Sequence, residues 1–190
     1  EEATAGLDGV DWVRSRSALY RGSLLNTILR NDTYYFSQIG TFLERADSTA
    51  RILDVKYYHL LPATEMVGSD ADNIQWVTIL RSVSAHRSYR WVYKDNYKPW
   101  KIANYLILNR QMPRSLRSCY DELTAALGEL GLLYAKRHTC HATAEATRDI
   151  LMESDIKQIF QAGLHEFVEN LIRRNNKLGC EISEAYHFNA

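Results

Sequence analysis

The chain has 190 residues, of which 46% are hydrophobic and 24% are charged, with 23 basic and 23 acidic residues. A chain of this length and composition buries enough apolar surface to fold as a single globular domain over residues 1–190, without a disulfide or a structural metal. Its net charge of zero excludes a protein whose main role is to coat nucleic acid or an anionic membrane, and no such partner is expected.

Helices, not strands, are predicted along the whole chain. Only three prolines and nine glycines interrupt it, whereas a compact all-β fold needs turn residues about every 8–12 positions. An amphipathic pattern over residues 10–29 predicts the first helix, with apolar side chains near helical spacing. Residues 30–33 interrupt that pattern, and Asn31 or Asp32 is predicted to cap the helix that follows.

The second predicted helix, residues 32–61, has the clearest periodicity. Its apolar stripe steps by three or four residues throughout, as one face of an α-helix requires. Pro62 is predicted to end it, because proline removes a backbone donor and restricts the residue before it. At 1.5 Å per residue the helix is about 45 Å long, enough to organise a bundle. The stripe consists of Tyr35, Ile39, Phe42, Ala46, Thr49, Leu53, Tyr57 and Leu60.

The remaining elements are also helical. A helix capped by Asp72 or Asn73 reaches about residue 93, and Pro99 stands where a first-turn proline belongs. Asp155 is predicted to cap the last long helix. The pattern therefore predicts an all-α fold, a helical bundle of six or seven helices with long antiparallel members. The other predicted helices cover residues 100–108, 113–136 and 143–153.

Residues 42–58 read FLERADSTARILDVKYY, and further short motifs follow this run in order. In this combination the chain resembles the bacterial alpha-E domain family, from about Asp11 to the C-terminus. That family is named for its all-helical prediction and its characteristic glutamate. The further motifs are QW at 75–76, LRSVSA at 80–85, YR at 89–90, NRQMPRS at 109–115, GLHEF at 163–167 and IRRNN at 172–176.

The resemblance implies a biological setting. Full-length relatives resemble a duplication in which an earlier helix carries its own Leu-Glu-Arg-Ala motif, so the chain is expected to be a portion of a longer protein. A homodimer or an exposed apolar face is expected if the other half normally packs against this one. Family members are encoded beside, or fused to, circularly permuted ATP-grasp ligases and transglutaminase-like proteins. These are the partners that the resemblance implies.

Glu44 is the candidate catalytic residue. At 100° per residue, Glu44 and Arg51 lie about 200° and 180° around the helix from Phe42, away from the apolar stripe. One interpretation is a solvated face on which Asp47 and Arg51 form an ion pair. The other is that a second helix covers this face and sets Glu44 against arginines from elsewhere. Arg45 lies about 60° from Phe42 and borders the core. We therefore predict that Arg45 is more buried than Glu44.

Arginines are the candidate binding residues. A guanidinium binds a carboxylate or a phosphate through two parallel hydrogen bonds. The predicted helix N-terminus near Arg114 also favours anion binding. Surface ion pairing with the equally numerous acidic residues is the alternative. The predicted binding residues are Arg45, Arg51, Arg81, Arg110 and Arg114.

Cysteines and histidines do not form a recognisable site. The three cysteines, at positions 119, 140 and 180, are odd in number and widely spaced, which is typical of a reducing, cytoplasmic compartment. His138, Cys140 and His141 share one segment, but no second pair of ligands accompanies them at zinc-site spacing. No nucleotide-binding fingerprint is present either. We therefore predict no metal and no cofactor.

Two functions are favoured at this point, and a metal-binding bundle stays as a third alternative only because the histidines could meet in space. The first is a non-catalytic helical scaffold or substrate-presenting partner in a bacterial peptide-ligating or peptide-modifying system, which the family setting and the lack of a complete catalytic constellation favour. The second is an enzyme acting on peptides or amides, with Glu44 as general acid or base and arginines as an anion clamp.

Overall fold

A computed structural model describes residues 2–59, 70–94 and 97–188. Across these ranges the chain forms nine α-helices and no strand, which confirms the all-α prediction. No helix within them is long and apolar enough to cross a membrane. The helices are α1 (Glu2–Thr27), α2 (Asp32–His59), α3 (Asp70–Ser82), α4 (His86–Tyr93), α5 (Pro99–Ile107), α6 (Leu116–Leu133), α7 (Thr139–Glu153), α8 (Ile156–Ala162) and α9 (Leu164–Ala185).

Several helices begin where the sequence predicts. Asn31 accepts a hydrogen bond from the Tyr34 amide at 3.3 Å, three residues into α2. Pro99 occupies the first turn of α5. Asp155 accepts from two backbone amides of α8 at 2.8 and 3.3 Å. Asn31 and Asp155 thus bond to amides that have no partner within their own helix, and Pro99 stands where the missing amide would have had none. The predicted end of α2 at Leu61 lies outside the described residues.

The prediction of six or seven helices is wrong, because two predicted helices are each divided in two. Ser84 adopts a left-handed φ of 56° after α3. There the Ala85 amide bonds to the Leu80 carbonyl and the Ser84 amide to the Arg81 carbonyl, which is the Schellman arrangement that ends a helix. Gly163, with φ of 111°, separates α8 from α9, and its amide makes the last bond of α8, to the Ile159 carbonyl. The chain turns at both points, where periodicity alone predicts continuation.

The core of the bundle is formed by α2, α6, α7 and α9. α2 packs against α6 and α9, and α7 packs against the same two helices. Asp32 at the start of α2 accepts a hydrogen bond from Tyr134 just beyond α6, whereas Thr49 later in α2 bonds to Arg114 just before α6. α2 and α6 are therefore antiparallel, as predicted for the long members of the bundle.

The α2–α9 pair has the same orientation. Asp54 near the end of α2 lies 2.8 Å from Nδ1 of His165 at the start of α9. The ring of Phe36, near the start of α2, packs edge-on against Tyr186 just after α9. These contacts fix both ends of α9 on α2, so the middle of α2 faces the middle of both neighbours. α5 and α8 pack at the side of this bundle.

α1 differs from the other long helices, because much of its apolar surface faces solvent. Leu24 and Ile28 are half-buried. Among the described side chains of α1, those of residues 9–27, the large apolar ones that are exposed are Val10, Trp12, Val13, Leu19, Tyr20 and Leu25. These side chains lie all around α1 and form no single apolar face.

Candidate functional site

A cleft of about 360 Å³ opens between α1 and α2, next to the N-terminus of α6. We call it the α1–α2 cleft. Its wall combines three arginines and one glutamate with hydroxyl side chains, and it is open to solvent. The residues that line it are Ser17, Tyr20 and Arg21 of α1, Thr41, Glu44, Arg45 and Ser48 of α2, and Arg114 before α6.

Arg45 is a half-buried charged group of this cleft. Its guanidinium lies 5.3 Å from the centre of the Phe42 ring on the preceding turn of α2. Burial lowers the pKa of Arg45, and the positive charges of Arg114 and Arg21 lower it further. Arginine stays protonated nonetheless, so the cleft contains like charges that repel one another.

The backbone of Arg114 belongs to a turn that several hydrogen bonds stabilise. The hydroxyl of the fully buried Thr49 donates to the Arg114 carbonyl at 2.8 Å. Next to it, Ser115 caps α6 by accepting from the Ser118 amide at 3.0 Å. Asn109 accepts from the amides of Gln111 and Met112 at 2.8 and 2.9 Å. The NRQMPRS motif is therefore a turn, and α6 begins at Leu116 instead of the predicted residue 113.

Glu44 lies exposed on the wall of the cleft. The backbone beside it is anchored from α9, because the buried Asn175 donates to the Leu43 carbonyl at 3.1 Å. Asn175 also accepts from the hydroxyl of Tyr120 in α6 at 3.0 Å. The segment that carries Glu44 and Arg45 is thus tied to two other helices of the bundle.

The structure brings together three of the six predicted site residues. Glu44, Arg45 and Arg114 share the α1–α2 cleft. The other three arginines lie elsewhere. Arg51 forms the predicted ion pair with Asp47, at 2.6 Å, on an exposed part of α2. Arg81 is exposed in the last turn of α3, and Arg110, with its side chain 81% exposed, lies 3.6 Å from Asp121.

Sequence reasoning missed the contribution of α1. Ser17, Tyr20 and Arg21 complete the cleft, but no motif around them distinguishes them from other polar residues on that helix. Only the position of α1 beside the cleft brings them to the site. Of the two interpretations of the polar side of α2, the solvated face is the one that agrees with the exposure of Glu44 and with the Asp47–Arg51 ion pair.

His141 has a structural role. Its buried ring contacts the Leu127 carbonyl of α6 through Nε2 at 2.9 Å, and its Nδ1 accepts from the His138 amide at 3.0 Å. This requires the tautomer with the proton on Nε2. Gly131 allows the approach, since a Cβ there would lie 3.1 Å from Nε2. No group of three or more His, Cys, Asp or Glu side chains in the described ranges is arranged to hold a metal ion.

The three cysteine thiols are expected to differ sharply in reactivity. Burial raises the pKa of Cys119 to about 12 and that of Cys140 to about 11, whereas Cys180 is exposed. A raised pKa keeps a thiol protonated at neutral pH, and the thiolate is the nucleophile. With a disulfide reagent at pH 8 we expect one fast-reacting thiol per chain, and three after denaturation. Rapid reaction of two thiols in the folded protein would contradict this prediction.

Two further clefts lie away from the Glu-Arg pair. One lies along α4 and is lined by basic side chains beside Trp91, which is 89% exposed. The other lies between α7 and the α8–α9 junction, around Gly163 and Phe167. Neither contains any of the six predicted site residues, so the α1–α2 cleft is the candidate site. The basic residues of the α4 cleft are His86, Arg87, Arg90 and Lys94.

A family model, Alpha-E, described as a predicted alpha-helical domain with a conserved ER motif, matches residues 2–187 of this chain. No curated protein and no solved structure matches it. The sequence contains one Glu-Arg dipeptide, Glu44-Arg45. The motif named in the family description is therefore the pair that lines the α1–α2 cleft.

Proposed function

The chain belongs to the Alpha-E family, and on that premise we propose that it is a non-catalytic helical scaffold or substrate-presenting partner in a bacterial peptide-ligating or peptide-modifying system. The observation that carries this proposal is the position of the Glu44-Arg45 pair. It lines an open cleft together with Arg114 and Arg21, and the segment that bears it is tied to α9 through Asn175. Such an arrangement holds a polar ligand and leaves it accessible from outside.

The chemistry of the cleft favours binding over catalysis. Its lining residues include no cysteine or lysine nucleophile and no histidine to activate a hydroxyl. Glu44 is exposed, so it lacks the water-excluded environment in which acid–base and electrostatic catalysis gain most of their strength. In the proposed role a partner enzyme supplies the reacting groups, and this domain positions the substrate.

The partner that we propose is an ATP-grasp ligase or a transglutaminase-like protein of the same bacterium, acting in the cytoplasm. Co-expression with each should give a complex that survives affinity purification, with or without nucleotide. Product formation by the partner should rise when this chain is added. Absence of a complex and of any stimulation with both enzymes, under every nucleotide condition, would contradict the proposal.

The second candidate function is an enzyme acting on peptides or amides with Glu44 as acid or base, and the shared cleft of Glu44, Arg45 and Arg114 is the observation in its favour. The two functions differ in what the isolated chain does. A scaffold is inactive alone, whereas the enzyme turns over peptide or amide substrates by itself and loses that activity in Glu44→Gln. Glu153→Gln, an exposed glutamate at the end of α7, is the matched control.

A further inference from the structure

The charges around the α1–α2 cleft do not balance. Three arginines, Arg21, Arg45 and Arg114, line it together with one glutamate, Glu44, and these side chains leave two net positive charges. Several other arginines of the described part of the chain are each paired with a carboxylate, such as Arg117 with Asp121 at 3.0 Å and Arg137 with Glu145 at 2.6 Å. Like charges gathered in one cleft raise the free energy of the unliganded protein and favour binding of an anion.

The donors come from three directions. Arg21 belongs to α1, Arg45 to α2 and Arg114 to the turn before α6. A planar carboxylate is satisfied by one guanidinium fork. A phosphate group presents three terminal oxygens on a tetrahedral centre and carries about −1.5 to −2 charges near neutral pH. Three convergent guanidiniums and two excess positive charges match the phosphate in both number and charge.

Hydroxyl groups complete the set of donors. Ser17 and Tyr20 reach the cleft from α1, and Ser48 from α2. The hydroxyl of Thr41, also on the wall, already donates to the Ser37 carbonyl at 2.7 Å and so offers its lone pairs to the cleft instead. Hydroxyl donors beside guanidiniums are common in phosphate sites, because they donate to phosphate oxygens that no arginine contacts.

We propose that the α1–α2 cleft binds a phosphate group, with Arg21, Arg45 and Arg114 donating hydrogen bonds to its terminal oxygens. The proposal rests on the proposed function, since it names the group through which a presented substrate is held. The cleft measures about 360 Å³, at the lower end of the range of small-molecule sites. It is larger than a phosphate alone needs, so the rest of a phosphate monoester fits beside the bound group.

Isothermal titration of the full chain at low ionic strength tests this proposal, with inorganic phosphate, malonate and acetate as probes. We expect saturable, one-to-one binding of phosphate, about tenfold or more tighter than either carboxylate, and weakening as salt is added. Arg21→Gln, at an exposed position of α1, should weaken phosphate binding about tenfold. Arg51→Gln, on the same helix as Arg45 but paired with Asp47, should change it less than twofold.

The outcomes separate this inference from the proposed function. Tighter binding of malonate or acetate than of phosphate would overturn the phosphate assignment, while the complex with a partner enzyme would still support the presenting role. Equal weakening by Arg21→Gln and Arg51→Gln would also overturn it, because the binding would then follow net charge alone. O-phosphoserine or AMP binding more tightly than inorganic phosphate would support it and identify the attached group as a peptide or a nucleotide.

Discussion

Replacing Asn175 with alanine is expected to lower the free energy of unfolding by about 2–4 kcal/mol. The side chain is only 5% exposed and joins three helices. It accepts from the hydroxyl of Tyr120 in α6 and donates to the Leu43 carbonyl in α2. Alanine removes both bonds and leaves the buried Tyr120 hydroxyl without this acceptor, at a cost of about 1–3 kcal/mol for an unsatisfied buried group. The lost side-chain volume adds a cavity.

Urea denaturation followed by circular dichroism measures this effect. Asn176→Ala is the matched control, because Asn176 is the next residue of α9 and is exposed, so its loss should change stability by less than about 0.5 kcal/mol. Tyr120→Phe in the Asn175→Ala background should cost less than in the wild type, since the shared hydrogen bond is already lost. Equal stability of the two asparagine variants would contradict the structural role of Asn175.

The same substitution links the fold to the candidate site. Leu43 immediately precedes Glu44, and Asn175 bonds to its carbonyl. The IRRNN motif at 172–176 thus contains a residue that supports the Glu-Arg pair from another helix. A sequence match can show that the two motifs occur together. It cannot show that one holds the other, because the hydrogen bond spans more than a hundred residues of chain.

Helical periodicity predicted the inner face of α2 well. Ile39, Ala46 and Leu53 are buried as predicted, because side chains three and four residues apart lie on one face whatever the tertiary context. Capping by Asn31 and Asp155 was equally predictable, since it depends on residues within one turn. These features are local, and local rules are sufficient for them.

The divisions of the helices were harder to predict. Gly163 is a residue type that favours a left-handed turn, but glycine also occurs inside α6 and α9. Ser84 has no such preference, and its φ of 56° is stabilised by the hydrogen bonds that end α3. The start of α6 shifted for a related reason, because Asn109 and Ser115 bond the preceding residues into a turn.

The candidate site was predictable only in part. Glu44 and Arg45 are identified by their motif and Arg114 by its place before a helix. Arg21 was missed because the position of α1 beside the cleft is a tertiary feature. Arginine content did not reveal which guanidiniums converge, and Arg51, Arg81 and Arg110 lie apart from the cleft. Convergence depends on how three helices pack, and pattern rules for single helices do not describe that.

Leu123→Ala is expected to have the largest effect on stability, about 2–5 kcal/mol. Leu123 is completely buried in the middle of α6, which packs against both α2 and α7. Its removal loses apolar burial and leaves a cavity that the surrounding helices fill only partly. Because domains are stable by only about 5–15 kcal/mol, the variant should be close to unfolding at physiological temperature.

Leu132→Ala is the matched control, since it is the same substitution in the same helix. The nine residues from Leu123 to Leu132 correspond to about 180° of helical rotation, and Leu132 is 77% exposed. Its loss should change stability by less than about 0.5 kcal/mol. Thermal and urea denaturation of both variants compare the two faces of α6 directly. Similar losses would mean that the outer face of α6 is also covered in solution, as a dimer or the other half of a duplicated protein would require.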